Sequence, residues 1–141
     1  MQTDRSHMVY LGLGSNIGNR RQLIGEAVTR LGERVGRVVR QSSLIETEPW
    51  GFDSPNRFLN ACVACRTALT PHEVLAATKQ VEKEMGHMEK TRNGEYHDRT
   101  IDIDILLYDD IRMDEPDLVI PHPRMQEREF VMKPLREIRD Y

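Results

Sequence analysis

A short alternating stretch places two carboxylates where they could act together. Between residues 101 and 107, apolar residues alternate with Asp102 and Asp104. Successive side chains leave a β-strand on opposite faces, so this spacing predicts a strand with both carboxylates on one face. The apolar residues predicted to share the other face are Ile101, Ile103, Ile105 and Leu107. Neighbouring carboxylates repel each other unless a positive charge compensates them, which favours a divalent metal site over a chance pair of aspartates on an edge strand.

Basic and aromatic residues elsewhere complete a set that could handle phosphate. Arg99 immediately precedes the acidic strand and could meet an anion such as phosphate. Pro121 and Pro123 restrict the backbone on either side of His122, which favours a ligand role for this histidine. The aromatic side chains that could hold a flat ring are Trp50, Phe58 and Phe130. Metal ions and arginines compensate charge in phosphoryl transfer, so these residues predict a Mg²⁺-dependent enzyme acting on a nucleotide or another phosphorylated compound.

Two further motifs point to structure rather than chemistry. Cys62 and Cys65 form a C-x-x-C pattern, but a strand would send them to opposite faces, and no second cysteine pair completes a zinc site. Two buried thiols are predicted instead. The turn Gly14-Ser15-Asn16 could bind phosphate at a helix N-terminus. Its glycine spacing matches neither a dinucleotide fingerprint nor a P-loop, so an ordinary strand-to-helix turn is expected.

The composition of the chain limits its class. Its 141 residues predict one domain over residues 8–141, preceded by a polar, disordered leader over residues 1–7. A net charge of -3 argues against a nucleic-acid partner held by bulk charge. No long apolar run or secretory signal is present, so we expect a cytoplasmic monomer without a membrane partner.

The apolar pattern predicts the order strand, helix, strand, strand, helix, strand. The predicted strands cover residues 9–14, 37–46, 58–69 and 101–107. The first helix should end at Gly36, and the second should begin with a capping box at Thr70 and Glu73 and end at Gly86. This order is the βαββαβ pattern of an α+β, ferredoxin-like sandwich. Its antiparallel sheet should carry helices on one face and leave the other face for ligands.

The remaining segments are predicted to be loops and a C-terminal extension. Trp50 lies in the 47–55 loop, either as a lid on the core or as a surface for a planar ligand. Residues 87–98 read as a polar loop and residues 109–117 as a turn rich in aspartate. The extension over residues 124–139 should contain a short helix that breaks at Pro134.

Four blocks of the chain, taken in order, form a specific set. They are Gly14-Ser15-Asn16, Phe58-Leu59-Asn60-Ala61, Arg99-Thr100-Ile101-Asp102-Ile103-Asp104 and Pro121-His122-Pro123-Arg124-Met125 with Arg128 and Phe130. Together they resemble the 6-hydroxymethyl-7,8-dihydropterin pyrophosphokinase family of folate biosynthesis. The resemblance runs over nearly the whole chain, from Val9 to Ile138. It implies Mg²⁺-dependent transfer of pyrophosphate from ATP to the hydroxymethyl group of the reduced pterin, with release of AMP.

The resemblance also implies a role for each matching position. Asp102 and Asp104 would bind two Mg²⁺ ions that bridge the ATP phosphates. The residues implied to contact ATP are Arg99, His122 and Arg128 at the phosphates and Ile105, Leu118, Val119 and Ile120 around the adenine. Phe58 and Phe130 would sandwich the pterin. The residues implied to read the pterin edge are Thr47, Glu48, Trp50 and Asn60.

The loop before the acidic strand departs from the family pattern. Many members have Gly-Arg-x-Arg after the second helix and Trp-Gly-Pro-Arg before the acidic strand. This chain has Gly86-His87-Met88-Glu89 and Tyr96-His97-Asp98-Arg99 at these places. Lys90 and Arg92 are therefore the candidates to supply the basic catalytic residues of the loop beside Arg99. The chain ends soon after its last helical segment, so no fused second enzyme is expected.

Two other functions fit parts of the pattern. A ferredoxin-like regulatory module could sense a metal–nucleotide complex without catalysing a reaction. A metal-dependent phosphohydrolase could use the same carboxylates and would turn over ATP without pterin. The transferase instead requires both small-molecule substrates.

Overall fold

The protein is described here by a computed structural model that covers residues 6–47, 57–86 and 101–139. Its strands are β1 (His7–Ser15), β2 (Arg37–Gln41), β3 (Ile45–Thr47), β4 (Phe58–Thr67), β5 (Asp102–Tyr108), β6 (Met113–Glu115) and β7 (Leu118–Ile120). Its α-helices are α1 (Arg20–Arg34), α2 (Pro71–Glu84) and α3 (Glu129–Ile138), and a 3₁₀ turn over Met125–Glu127 precedes α3. This mixture of helices with antiparallel strands makes the chain an α+β protein.

The main sheet is antiparallel and has the order β2-β4-β1-β5, with β3 also paired to β4. β1 lies inside this sheet, as its short apolar run predicts. The single strand predicted over residues 37–46 is wrong, because it divides into β2 and β3. At the break, Ser42 stays attached to β4: its N–H donates to the Cys62 carbonyl at 2.9 Å, and its Oγ accepts the Cys62 N–H at 2.9 Å.

Helices α1 and α2 pack on one face of the sheet, which we call the helix face. Val9, Leu11 and Leu13 of β1 meet buried side chains from both helices there. The capping box of α2 is present as predicted: Glu73 N–H donates to Thr70 Oγ1 at 3.2 Å, and Thr70 N–H donates to Glu73 Oε1 at 2.8 Å. Gly86 follows the helix with a positive φ of 91°, a conformation that favours glycine.

α1 and α2 are the two helices predicted for one face, whereas the opposite face, predicted to be left for ligands, carries the third helix. Leu135 and Ile138 of α3 are buried against Tyr10, Cys62 and other residues of the central strands. The predicted break at Pro134 is also wrong, because α3 continues through it. Burial of the apolar side of α3, together with a 2.9 Å bond from Arg40 Nη1 to the Ile138 carbonyl, compensates for the hydrogen bond that proline cannot make.

A β-bulge changes the facing of β5 after Ile105. In the pairing with β1, Leu11 lies opposite Ile105 but Tyr10 lies opposite Leu107, which leaves Leu106 as an extra residue. The predicted alternation is therefore correct through Ile105 and wrong at Leu107. Leu107 joins Leu106 in the α3 cluster, and Tyr108 turns into the helix-face core instead.

The two cysteines are buried thiols on opposite faces, as predicted from the strand spacing. Cys62 packs in the α3 cluster and Cys65 in the helix-face core. Burial raises the pKa of each thiol to about 12, so both stay protonated at neutral pH. Neither has the character of a reactive or metal-binding cysteine.

The segment predicted as an aspartate-rich turn contains a small hairpin, β6–β7. Its buried Leu118 and Ile120 belong to the helix-face core, whereas its turn is polar and exposed. His72 of α2 contacts the hairpin, with Nε2 at 3.1 Å from Glu115 Oε1 and 3.4 Å from Asp117 Oδ1. Across the described ranges, no helix is long and apolar enough to cross a membrane.

Candidate active site

Three adjacent strands bring the predicted metal and pterin residues into one row. Gly14 of β1 pairs with Asp102 of β5 on one side and with Asn60 of β4 on the other. Directly paired residues of antiparallel strands share a face, so Asp102 and Asn60 lie on the same face, two strand spacings or about 10 Å apart. Asp104 pairs with Gly12 on this face. We call the surface of Gly12, Gly14, Asn60, Asp102 and Asp104 the carboxylate face.

The two glycines keep side chains out of the middle of the carboxylate face. A Cβ atom at Gly14 would lie 3.3 Å from Asn60 Oδ1 and 3.4 Å from a ring carbon of Phe58. A Cβ atom at Gly12 would lie 3.4 Å from the Leu106 side chain. Glycine therefore lets the amide and the aromatic ring lie directly against the β1 backbone. The prediction of an ordinary turn missed this role, although the i, i+2 spacing of Gly12 and Gly14 was its signal in the sequence.

Asn60 is buried and its amide orientation is defined by neighbours. The amide nitrogen donates to the Ile45 carbonyl at 3.2 Å and to Thr47 Oγ1 at 2.9 Å. Thr47 in turn pairs with Phe58 across the β3–β4 ladder. Three of the predicted pterin residues, Thr47, Phe58 and Asn60, are therefore neighbours at one end of β4. Phe58 is half-buried.

His122 is attached to the acidic strand through its backbone. Its N–H donates to the Leu106 carbonyl at 3.0 Å, at the β-bulge two residues after Asp104. Its Nδ1 accepts the Arg124 N–H at 3.2 Å, so the neutral imidazole carries its proton on Nε2 and can donate from there. The bulge thus connects the His122 segment to the strand that carries the carboxylates.

Charged residues predicted to bind ATP or its metal ions lie around His122. Burial lowers the pKa of His122, and the positive charges of Arg128 and Arg124 lower it further, while Asp102 acts in the opposite direction. Because Asp102 and Arg128 both affect the pKa of His122, both charges lie close enough to interact with its ring. Arg128 also lies over the ring of Phe130, with its guanidinium carbon 5.9 Å from the ring centroid. Both residues are half-buried at the start of α3.

The residues predicted to border the adenine point mostly into the core. Ile105 is buried on the helix face, together with Leu118 and Ile120, and Val119 is half-buried between them. A ligand on the carboxylate face would therefore meet the backbone of Ile105 rather than its side chain. Five other predicted site residues lie outside the described residues: Glu48, Trp50, Lys90, Arg92 and Arg99.

Glu82 is a residue of this region that the sequence reasoning missed. It lies in α2 and is 5% exposed, and its Oε2 accepts the N–H of Ile103, between the two aspartates, at 2.7 Å. Burial raises the pKa of Glu82 to about 7; the bond from Ile103 opposes this, and the charges of Asp102 and Asp104 add to it. The sequence held a signal, since Glu82 follows Thr78 by four residues and so belongs to the inward side of the helix.

The raised pKa of Glu82 predicts a loss of stability with rising pH in the metal-free protein. Between pH 4.5 and about 7 the unfolded chain releases this proton while the folded chain retains it, so the free energy of unfolding falls. The full effect is on the order of 3 kcal/mol. Urea unfolding measures the free energy of unfolding of the wild type and of Glu82→Gln across this pH range. As pH rises, the glutamine variant should become more stable relative to the wild type. A constant difference would contradict the raised pKa.

The chain is similar to proteins of one family over nearly its whole length. A model of the family described as 7,8-dihydro-6-hydroxymethylpterin-pyrophosphokinase (HPPK) matches residues 10–140. A Porphyromonas gingivalis protein named 2-amino-4-hydroxy-6-hydroxymethyldihydropteridine pyrophosphokinase is 48% identical over 132 residues, which cover 93% of this chain and 90% of the relative. A Bacillus subtilis protein of the same name is 41% identical over 134 residues, which cover 94% of this chain and 78% of the relative.

Solved structures share the fold at low sequence identity. A crystal structure of an HPPK-DHPS in complex with substrates superposes with a TM-score of 0.74 at 14% identity, covering 94% of this chain and 40% of that one. The wild-type HPPK-DHPS of Plasmodium falciparum gives a TM-score of 0.71 at 18% identity, covering 94% of this chain and 38% of that one. This chain therefore spans about two fifths of those longer proteins, and the likeness to them concerns the fold.

Proposed function

The chain belongs to the HPPK family, and from that membership and the carboxylate face we infer that it transfers pyrophosphate from ATP to the hydroxymethyl group of 6-hydroxymethyl-7,8-dihydropterin, releasing AMP. It is a pyrophosphokinase of folate biosynthesis with ATP as co-substrate. The single observation that carries the assignment to this site is the row Asp102–Gly14–Asn60 with Asp104 beside it. This row provides a place for a cation and a place for a ring edge on one surface.

The carboxylate pair fits magnesium by its donor atoms and its surroundings. Asp102 and Asp104 offer oxygen ligands from one face, both are half-buried, and the glycines opposite them add no side chain. Mg²⁺ prefers carboxylate and phosphate oxygens, and we assign two ions to this pair. When bound, Mg²⁺ compensates the charge of the phosphate oxygens.

The ATP phosphates are assigned to the basic side of this face. His122 can donate its Nε2 proton to a phosphate oxygen, and Arg128 supplies a fixed positive charge beside it. We assign Arg99 to the same phosphates on the family pattern, and Lys90 or Arg92, as basic residues of the loop that departs from this pattern, to the charge that develops during transfer. The adenine is assigned to the backbone of Ile105 and the 118–120 segment.

The pterin is assigned to the other end of the row. Phe58 and Phe130 would hold the flat ring between them, since aromatic faces stack well on such a ring. Asn60, held by the Ile45 carbonyl and Thr47 Oγ1, would read the donors and acceptors of the ring edge, with Thr47, Glu48 and Trp50 completing this contact. A site that hydrogen-bonds a ring edge rejects analogues that lack those groups.

Catalysis in this arrangement depends on position and charge. The pterin hydroxyl attacks the β-phosphorus of ATP, the bond from that phosphorus to the α-phosphate oxygen breaks, AMP leaves with that oxygen, and the hydroxyl proton is released to solvent. A primary hydroxyl held in line with the phosphorus gains its rate mainly from this orientation. His122 and the arginines hold the transferred group while its charge redistributes.

The finer architecture is also part of the proposal. The strand order β2-β4-β1-β5 with α1 and α2 on one face supports a ferredoxin-like βαββαβ core, to which α3 is a C-terminal extension. We assign this core and extension to one pyrophosphokinase domain over residues 8–141 that acts as a monomer.

The dependence of AMP formation on pterin tests the function against its rivals. ATP and Mg²⁺ are incubated with the protein, with and without the reduced pterin, and nucleotides are separated by chromatography. The transferase predicts AMP only when both substrates are present. ATP turnover without pterin would support a phosphohydrolase, and no turnover in either mixture would support a sensing module.

Removal of the Asn60 amide should weaken pterin binding selectively. Asn60→Ala is expected to raise the KM for pterin by roughly 10- to 100-fold, because polar groups of the ring edge lose a partner in a buried site. The KM for ATP should change less than twofold and is the internal control. Steady-state kinetics with each substrate varied in turn measures both. Equal changes in the two KM values would contradict the assignment of Asn60 to the pterin.

A further inference from the structure

The acidic strand lies at the edge of the described sheet, and its outer side is attached to α2. β5 pairs with β1 along one side. The N–H of Ile103 donates instead to Glu82 Oε2, at 2.7 Å. Ile103 stands between the two aspartates, so this bond fixes the stretch of backbone that joins them.

Glu82 is buried to an extent that is rare for a glutamate. Its side chain is 6% exposed, and among the described residues it forms an ion pair with Lys79, whose Nζ lies 3.9 Å from Oε1 and whose side chain is 68% exposed. Glutamate is rarely buried to this extent without a close ion pair. The neighbouring positions of the same helix side, Val74, Thr78 and Val81, carry side chains without charge. A helix that only needed to pack against β5 could use an apolar residue here.

We propose that Glu82 is a positioning residue for the Asp102–Asp104 pair: by accepting the Ile103 N–H it holds the backbone between the two carboxylates and so fixes their spacing for cation binding. The inference rests on the proposed function, because it takes these aspartates as the cation ligands. An edge strand whose outer N–H groups are unattached can twist or shift, and each such movement changes the direction of both side chains. One hydrogen bond at the middle residue restrains both carboxylates together.

Glu82 also connects α2 to the strand that carries the two aspartates. Ile103 faces the helices, whereas the two aspartates face away from them on the carboxylate face. The helix therefore reaches the proposed metal ligands through the backbone of β5. Partners that orient metal ligands are worth about 10- to 100-fold in metal affinity. This range sets the size of the expected effect.

The test compares cation binding in three substitutions of Glu82 with a packing control. Glu82→Leu and the smaller Glu82→Ala remove the acceptor, and Glu82→Gln retains an acceptor oxygen without the charge. Val81→Ala removes buried volume at the next position and leaves Glu82 in place. The probe is Mn²⁺ with α,β-methylene-ATP, and binding is followed by electron paramagnetic resonance. Hydrogen exchange of the Ile103 amide and the unfolding temperature are measured on the same samples.

The inference predicts a specific pattern across these variants. Glu82→Leu and Glu82→Ala should bind Mn²⁺ about tenfold more weakly and exchange the Ile103 amide at least tenfold faster, whereas Glu82→Gln should recover most of both properties. Val81→Ala should lower the unfolding temperature but leave Mn²⁺ binding unchanged. If Glu82→Leu does not fold, Glu82→Ala supplies the comparison. Wild-type Mn²⁺ affinity in a folded Glu82→Ala or Glu82→Leu protein would overturn the inference.

Two further samples separate this inference from the proposed function. The wild type is assayed for AMP formation, and Asp102→Asn is titrated with Mn²⁺ and the same ATP analogue. Weak binding by Asp102→Asn beside normal binding by Glu82→Ala would overturn the positioning role alone. Normal binding by Asp102→Asn, or no AMP from the wild type, would overturn the proposed function and the inference with it.

Discussion

Replacing Asp102 or Asp104 with asparagine is expected to lower kcat/KM for pyrophosphate transfer by about 10³-fold, the upper range for loss of one charge-stabilising group in an active site. Both side chains lie on the carboxylate face and are half-buried, so neither contributes to the apolar core. Asparagine keeps the shape of the side chain and removes the charge that a magnesium ion requires. Steady-state AMP formation at saturating Mg²⁺ measures the change.

The matched control for this prediction is Asp110→Asn. Asp110 is an exposed aspartate in the turn directly after β5, and the same substitution there should leave the rate within twofold of the wild type. All three variants should unfold within a few degrees of the wild type, as surface and half-buried polar changes usually do. Near-normal activity in either site variant would refute the assignment of the carboxylates to the metal.

Gly36→Ala is expected to lower the free energy of unfolding by about 3 kcal/mol, the upper end for forced overpacking. Gly36 lies between α1 and β2, and an added Cβ would overlap the carbonyl oxygen of Arg66 and lie 2.9 Å from its carbon. These are backbone atoms of β4, which pairs with β2 at Arg37 and Arg66, so they cannot move without disturbing the ladder. Urea unfolding of the purified variant measures the loss.

Gly25→Ala is the matched control, with the opposite expected sign. Gly25 lies inside α1, and no atom lies within 4 Å of the position its Cβ would take. Alanine there should therefore raise the free energy of unfolding by about 0.5–1 kcal/mol through its better helix propensity. If Gly36→Ala is as stable as the wild type, the close approach of Gly36 to β4 at Arg66 is incorrect.

The sequence predicted correctly those features that depend only on residues close together in the chain. The capping box at Thr70 and Glu73 and the stop at Gly86 depend on neighbouring residues, and both are present in the structure. The alternation of β5 held through Ile105 for the same reason. It failed at Leu107 because a bulge is a property of the pairing between two strands, which one strand's sequence does not contain.

Tertiary packing overrode two other local signals. Pro134 predicted a break, yet burial of Leu135 and Ile138 against the sheet keeps α3 continuous. Ser42 lies in a segment that read as one strand, and its bonds to Cys62 hold the chain to β4 while the strand is interrupted. In both cases a distant partner supplied the free energy that a propensity argument omits.

The sequence gives the residue types of the candidate site but not their arrangement. Spacing alone placed Asp102 and Asp104 on one face, and the structure agrees. The alignment of Asp102 with Asn60 across Gly14 required the registers of two ladders, so it could not come from the sequence. Glu82 was missed because its partner, the Ile103 N–H, is a backbone group about twenty residues away.

The most direct measurement of the central claim is the identity of the phosphorus products. The protein is incubated with ATP, Mg²⁺ and 6-hydroxymethyl-7,8-dihydropterin, and the mixture is followed by ³¹P nuclear magnetic resonance. Pyrophosphate transfer predicts equal amounts of AMP and of a pterin ester with two coupled phosphorus signals, with neither product formed by Asp102→Asn. Appearance of ADP with a pterin monophosphate or inorganic phosphate would contradict it.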